Sequence, residues 1–372
     1  MDGGRPRLVT LFLCGDVMLG RGVDQILPHP GDPSLREPYV FDAGDYVRLA
    51  EAENGPIPRP VDFDWPWGDS LAVLEEAAPD VRVINLETSV TRSDDFSPGK
   101  GMHYRMNPAN LPCLVAGRPD VCVLANNHVL DFGRRGLAET LDVLAGAGLR
   151  QVGAGRDAGE AWHPLAVPVE GGRVLVFSVG MPSSGVPADW AATPDRSGVC
   201  FVPEPSVAAA SEIVGRVRAA KRPGDLAVVS VHWGSNWGYD VSRAQRRFAH
   251  QLIDGGVDVV HGHSSHHPRP VEVYRGKLVL YGCGDLIDDY EGIHGYERFR
   301  DDLRLLYLAS LEPESGELAE LRMAPMRAWR MRLRRARADD SRWLQDVLDR
   351  VSRRFGVRCD LGPDGMLALR SP

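Results

Sequence analysis

Apolar residues along this chain come in short bursts, and most bursts close on polar residues able to do chemistry. "RLVTLFLCGD", "DVRVINLET", "PDVCVLANNH", "RVLVFSVG", "DLAVVSVHWG", "VDVVHGHS" and "KLVLYGCGD" are seven such segments. Near-continuous Val, Ile and Leu predicts strands covered on both faces. Between them, "RRGLAETLDVLAGAG", "SVAAASEIVGRVRAAK" and "SRAQRRFAHQLIDGG" have helical spacing and end in or near Gly, as helix C-termini prefer. This alternation predicts an α/β fold, a layered sheet with helices outside.

Three stretches depart from the pattern. Residues 28–68 are rich in proline and hold Trp65 and Trp67, which predicts a long loop or insertion over the site rather than a separate domain. "MPSSGVPADWAATPDRSG" is a second candidate loop. From about residue 316 the chain is rich in arginine, with a helix opened by Asp339-Asp340 and closed by Gly356. Residues 1–315 are expected to form the main domain, and 316–372 a strand and helix extension packed on it.

Composition narrows the function. Of 372 residues, 43% are hydrophobic and 25% charged, enough to bury a sizeable core. The net charge of −8 argues against a general nucleic-acid or anionic-membrane role, which needs a basic surface. Arg5 and Arg7 precede the apolar run "LVTLFLC", but that run is too short to span a membrane and lacks a cleavage site. It is expected to be a buried first strand of a soluble, cytoplasmic protein with no membrane span. The cysteines at 14, 113, 122, 200, 283 and 359 show no Cys-x-x-Cys pair and read as reduced structural thiols.

Five of the strand-like runs end in a hard-metal ligand or a base: Asp16, Glu87, the trio Asn126-Asn127-His128, His232 and His263. Groups at the carboxyl ends of strands in such a sheet converge on one crevice. Mixed carboxylate, amide and imidazole donors suit a divalent ion (Ca, Mn, Zn or Fe) better than a thiolate-seeking one. Asp131 lies three residues beyond His128 and is placed to orient its ring. "VVHGHSSHHPRP" holds His261, His263, His266 and His267, of which two or three are expected to be ligands. Asp285 ends a strand, and the acid-rich segment after it, with Asp288, Asp289, Glu291 and His294, is expected to shape a substrate loop. Trp233 beside His232 offers an aromatic wall; Arg21 and Asn126 complete the candidate substrate contacts. The phosphate-binding loop, the dinucleotide fingerprint and the nucleophile elbow are all absent.

"GDVMLGR", "NLETSVT", "LANNHVLDFG", "VHWG" and "GHSSHHPRPVEVYRGKLVLYGCGD", in this order, resemble the CapA family, poly-γ-glutamate capsule biosynthesis proteins of the calcineurin-like metallophosphatase superfamily. The resemblance covers about residues 8–310. It implies a two-sheet β-sandwich flanked by helices, with metal between strand-end loops. By motif it implies Asp16, Glu87, Asn127, His232, His263 and His266 as metal ligands and His128 as the adjacent acid/base. Two departures stand out: Met18 occupies the usual first-loop His position, and the usual "GNF" reads "GDL" at Gly284-Asp285-Leu286. A lost ligand argues for one firmly held ion and against a phosphoesterase.

The resemblance also extends to a soluble branch, the lasso-peptide epimerase, which implies proton exchange at Cα. His128 with Asp131, and a later His with Asp285, are then the two acid/base groups, with His294 a further candidate. Four readings stand open: acid/base chemistry on the amide bonds of a peptide or polyglutamate substrate, Cα epimerisation, phosphoester hydrolysis, and non-catalytic polyglutamate binding.

Overall fold

A computed structural model describes residues 7–370; Arg5 lies outside the described residues. The seven apolar bursts form the strands Val9–Val17, Val81–Leu86, Val121–Val123, Gly172–Gly180, Leu226–His232, Val259–His263 and Lys277–Leu280. The three periodic stretches form the helices Gly133–Gly146, Val207–Ala220 and Arg243–Asp254. The last opens on a reciprocal cap in which the Ser242 hydroxyl accepts from the Gln245 N–H and the Gln245 side chain accepts in return. The fold is mixed α/β.

The strands assemble into a ten-stranded and a six-stranded sheet. In the larger sheet Val9–Val17 pairs in parallel with Val81–Leu86 and antiparallel with Leu303–Leu311. In the smaller sheet Gly172–Gly180, Leu226–His232, Val259–His263 and Lys277–Leu280 run parallel. One apolar cluster takes Leu11, Leu13 and Val83 from the first sheet and Val174, Val176, Val228 and Val259 from the second. Side chains alternate along a strand, so Phe12, Cys14 and Ile84 point the other way. They join a second cluster with Leu137, Leu141, Ile213, Phe248 and Leu252 of the helices. Burial on both faces is why these strands read as continuous apolar runs.

The stretch 28–68 is more than a loop. It contains the helix Gly44–Asn54, which buries Tyr46, Val47 and Ala50. Trp67 is fully buried, and its indole N–H donates to the Cys113 carbonyl at 2.7 Å. Acidic residues between the apolar positions and prolines on both sides hide this helix from a pattern reading. At the other end, Leu318–Ala328 pairs with Leu303–Leu311 from end to end. The helix Ala338–Ser352 follows, its acidic Asp339 and Asp340 in the first turn, where the helix dipole favours negative charge.

Candidate metal centre

Strand register brings the polar groups together. Asp16 is the parallel partner of Asn85 on one side and of Asp285 on the other. Pairing with Val81–Leu86 slips between Leu13 and Asp16, a bulge that re-aims the side chains. Gly15 is required here, because a Cβ would lie 1.5 Å from the Gly284 carbonyl oxygen. In the second sheet His232 is in register with His263, and Ser230 with His261. Positions two apart share a face, so these four side chains point the same way.

Two donor groups result, and both use Asp16. Donor atoms of Asp16, His232 and His263 lie within 4.8 Å of one another, and so do those of Asp16, His266 and Asp285. His232 Nε2 lies 2.9 Å from Asn127 Oδ1, His232 Nδ1 lies 2.8 Å from His263 Nδ1, and Glu87 Oε2 is 3.8 Å from His232. The Asn85 amide donates to Asp16 at 2.7 Å and to Glu87 at 2.8 Å, tying both carboxylates to one strand. Burial, then the neighbouring Asp285, pushes Asp16 up to about 7. Burial, then Asp16, holds Glu87 well above the usual carboxylate range. Burial keeps His232 and His263 neutral, the form that ligates. Asp16 Oδ2 and Asp285 Oδ2 are buried without a hydrogen-bond partner. Unpartnered carboxylate oxygens among crowded acids and neutral imidazoles fit a divalent cation. Met18 contributes no donor to either group, yet each retains three.

Beside these groups stand two histidine–carboxylate pairs. His128 Nδ1 is 2.6 Å from Asp131 Oδ2, and His266 Nδ1 is 3.0 Å from Asp285 Oδ1. Burial, then the Lys100 charge, holds His128 well below the ordinary histidine value. Burial also opposes the charge on His266, but Asp285 and then Asp16 outweigh it and raise its pKa. Lys100 reaches the Asp131 carboxylate and the Asn127 carbonyl. Burial raises Asp131 to about 6 even against that ammonium. Tyr104 packs edge-on against His128 and Tyr290 against His266, and the two phenols share a hydrogen bond of 2.5 Å.

Asp16, Glu87, Asn127, His128, Asp131, His232, His263, His266 and Asp285 therefore gather in one place. Four expected residues play other parts. Trp233 is core: its indole N–H donates to the Tyr281 carbonyl at 3.1 Å, between Phe248 and Tyr281. The aromatic beside the site is instead Trp237, 5.3 Å from the His266 ring and stacked on Tyr296. Arg21 is buried, with Nε and Nη2 donating to Asp289 and Nη1 to Glu37, so its charge is already paired. Asn126 is scaffold, donating to Asn85 and the Leu86 carbonyl while accepting from the His128 N–H. His294 sits on the surface, three-quarters exposed and 3.6 Å from Glu297. Asn85 and Lys100 were not expected from the sequence. Asn85 left a trace, as a lone amide in an apolar strand; Lys100 left none.

The bacterial capsule synthesis protein family PGA_cap matches residues 10–290. The chain belongs to that family. It is similar to a probable polyglutamine synthesis accessory protein of Mycobacterium tuberculosis, with 57% identity over 98% of this chain and 97% of the relative. The PGA biosynthesis protein CapA of Bacillus subtilis is 27% identical over 81% of this chain and 67% of its own length. The capsule biosynthesis protein CapA of Bacillus anthracis is 25% identical over 80% and 63% respectively. The family match spans every donor of the two groups. Among the described residues, no helix is long and apolar enough to cross a membrane.

Proposed function

We propose that this member of the capsule synthesis family is a metal-dependent enzyme of calcineurin-like metallophosphatase fold, acting by acid/base chemistry on a peptide or poly-γ-glutamate-type substrate. The observation that carries this reading is the sharing of Asp16 by two buried donor groups, flanked by two histidine–carboxylate pairs. Asp16, His232 and His263, with Asn127 and Glu87 beside them, would hold one cation. Asp16, His266 and Asp285 offer a second position. A bound divalent cation would supply Lewis acidity at a substrate carbonyl. The remaining roles belong to the chain. With Nδ1 donating to Asp131, neutral His128 keeps Nε2 free to take a proton. When that second position holds no cation, His266, its pKa raised beside Asp285, is the better proton donor. Environments that push two like groups apart in pKa are how one site runs acid and base steps together. Lys100 favours ionised Asp131, the acceptor for the His128 Nδ1–H, while its own Nζ stands 3.1 Å from that nitrogen.

Incubation of the metal-loaded protein with poly-γ-glutamate and with candidate peptides in deuterium oxide tests this. New amino termini that vanish on chelation, and return with metal, support amide chemistry. A second reading is Cα epimerisation, favoured by the presence of two acid/base pairs at one site. Deuterium at Cα without chain shortening would select it. Metal-loaded protein that yields neither product would defeat the enzymatic proposal.

A further inference from the structure

The arginine-rich stretch takes no part in the metal centre. Leu318–Ala328 and Leu333–Arg335 form a hairpin, with Arg327 opposite Arg334. The Trp329 N–H donates to the Arg332 carbonyl at 2.9 Å, which leaves Arg330 and Met331 as the turn, at φ 60° and 52°. Such turns favour Asn-Gly because both residues are left-handed, a conformation that crowds the Cβ of any larger side chain. Other parts of the chain hold the turn in place. The Glu291 carboxylate accepts both turn N–H groups, Arg330 Nε donates to the Asn54 carbonyl, and the Trp65 indole donates to the Arg330 carbonyl. Strain retained by surrounding contacts is characteristic of functional segments.

The hairpin displays a cationic groove. Arg327, Trp329, Arg334, Arg335 and Arg337 line a surface cavity of about 310 Å³. The Arg334 and Arg330 guanidiniums lie 3.5 and 4.1 Å from the Trp329 ring centroid. Arg327 pairs with Asp302, and Arg335 with exposed Glu76 at 3.4 Å. Among the described residues, Arg334 and Arg337 have no carboxylate partner. Residues 326–337 hold six arginines and no acid, in a chain of net charge −8. Like charges this concentrated repel; Asp302, Asp340, Glu76 and Asp69 at the margins offset part of this, and an added anion would offset more.

We propose that this groove binds an acidic polypeptide, with carboxylates on Arg334 and Arg337 and the chain lying across Trp329, as an anchoring site separate from the metal centre. The choice of a polycarboxylate rests on the capsule-polymer reading; the existence of an anion site rests on the groove alone. A guanidinium stacked on an indole keeps its N–H edge free for a bidentate carboxylate, and repeated carboxylates add avidity. A duplex nucleic acid would need a broader basic surface than this acidic chain provides.

Purified poly-γ-glutamate titrated into the full chain, followed by tryptophan fluorescence and calorimetry, is the test. Binding should weaken as salt rises and persist in EDTA. The Arg334→Ala/Arg337→Ala double variant should bind at least about tenfold more weakly, at unchanged thermal stability and metal content. Arg334→Lys should fall between, since it keeps the charge but loses the fork. Polymer binding that ignores these substitutions would overturn the groove, as would tighter binding of single-stranded DNA with the same dependence on the arginines. Arginine-dependent binding without chemistry in deuterium oxide would leave the groove standing and sink the enzymatic reading. Chemistry with arginine-independent binding would do the reverse.

Discussion

Raising the pH of the metal-free protein through neutrality strips a proton from Asp16, which burial and Asp285 hold at about 7 against an ordinary 3.8. A carboxylate whose folded pKa is raised lends stability below its unfolded pKa and loses it as pH climbs through the folded one. The gap is about three pH units, each worth about 1.4 kcal/mol, so metal-free protein should lose about 4 kcal/mol between pH 4 and 7. A cation needs the ionised form. At pH 5 it must first displace that proton at a cost of about 3 kcal/mol, and above pH 7 it need not. With an unfolding entropy of about 2.1 cal/mol/K per residue, a 372-residue chain should show about 3–4 °C more cation-induced gain in Tm at pH 7.5 than at pH 5.

Thermal scans with and without a saturating divalent ion, each against EDTA, read this directly. Asp131, raised to about 6, and Asp288, raised to about 7, also titrate, but they do so in both arms and leave the difference between arms to Asp16 and its neighbours. Asp16→Asn should flatten the pH dependence and leave the EDTA form at pH 8 as stable as wild type or more so. A gain in Tm equal at both pH values, or larger at pH 5, would refute the shared-carboxylate reasoning.

His128→Ala should lower turnover by about 10²–10⁴ while metal content stays as in wild type, because the role proposed for it is proton transfer; loss of metal by elemental analysis would make it a ligand instead. Arg304→Met strands the buried Asp288 carboxylate that Arg304 pairs with, so urea unfolding at about pH 8.5, above the value of about 7 to which Asp288 is raised, should show a loss of about 3–5 kcal/mol, and a loss there under about 1 kcal/mol would contradict a buried pair. His294→Ala should change stability by less than about 0.5 kcal/mol and leave turnover intact, since the side chain is on the surface; a marked fall in turnover would return His294 to the site.

The strands were legible because parallel strands buried on both faces have no polar face to disguise them, as in Leu226–His232 and Val259–His263, each an apolar run closing on a histidine. Asp16, Glu87, His232 and His263 were legible as candidate donors because they fall at or beside the ends of those runs, whereas Asp285, expected to end a strand, opens the short strand Asp285–Ile287. Trp233 and Arg21 misled for a common reason. Nearness in sequence to a candidate ligand says nothing about which way a side chain turns, and both turn inward to partners remote in the chain, Tyr281 and Asp289. Lys100 was invisible because it reaches Asp131 from an irregular segment with no periodicity to read.

Asp285 shows most clearly what register adds. In the sequence, Met18 and Asp285 are two separate departures from the family pattern, one an expected ligand lost and the other an altered motif, and the lost ligand favours a single ion. The parallel pairing of Asp285 with Asp16 places the second of these departures in a donor group with Asp16. It sets a carboxylate oxygen, buried and without a hydrogen-bond partner, beside the Asp16 oxygen in the same condition, with His266 completing the group. Burial first, and then the repulsion between two carboxylates so placed, push Asp16 up to about 7, and a proton or a cation between them relieves that repulsion. We therefore propose that this second group, with two carboxylates to one imidazole, would favour a harder, oxygen-seeking ion over a nitrogen-seeking one. Asp16 and Asp285 are 269 positions apart in the chain, and their partnership becomes readable only once a strand ladder sets them side by side.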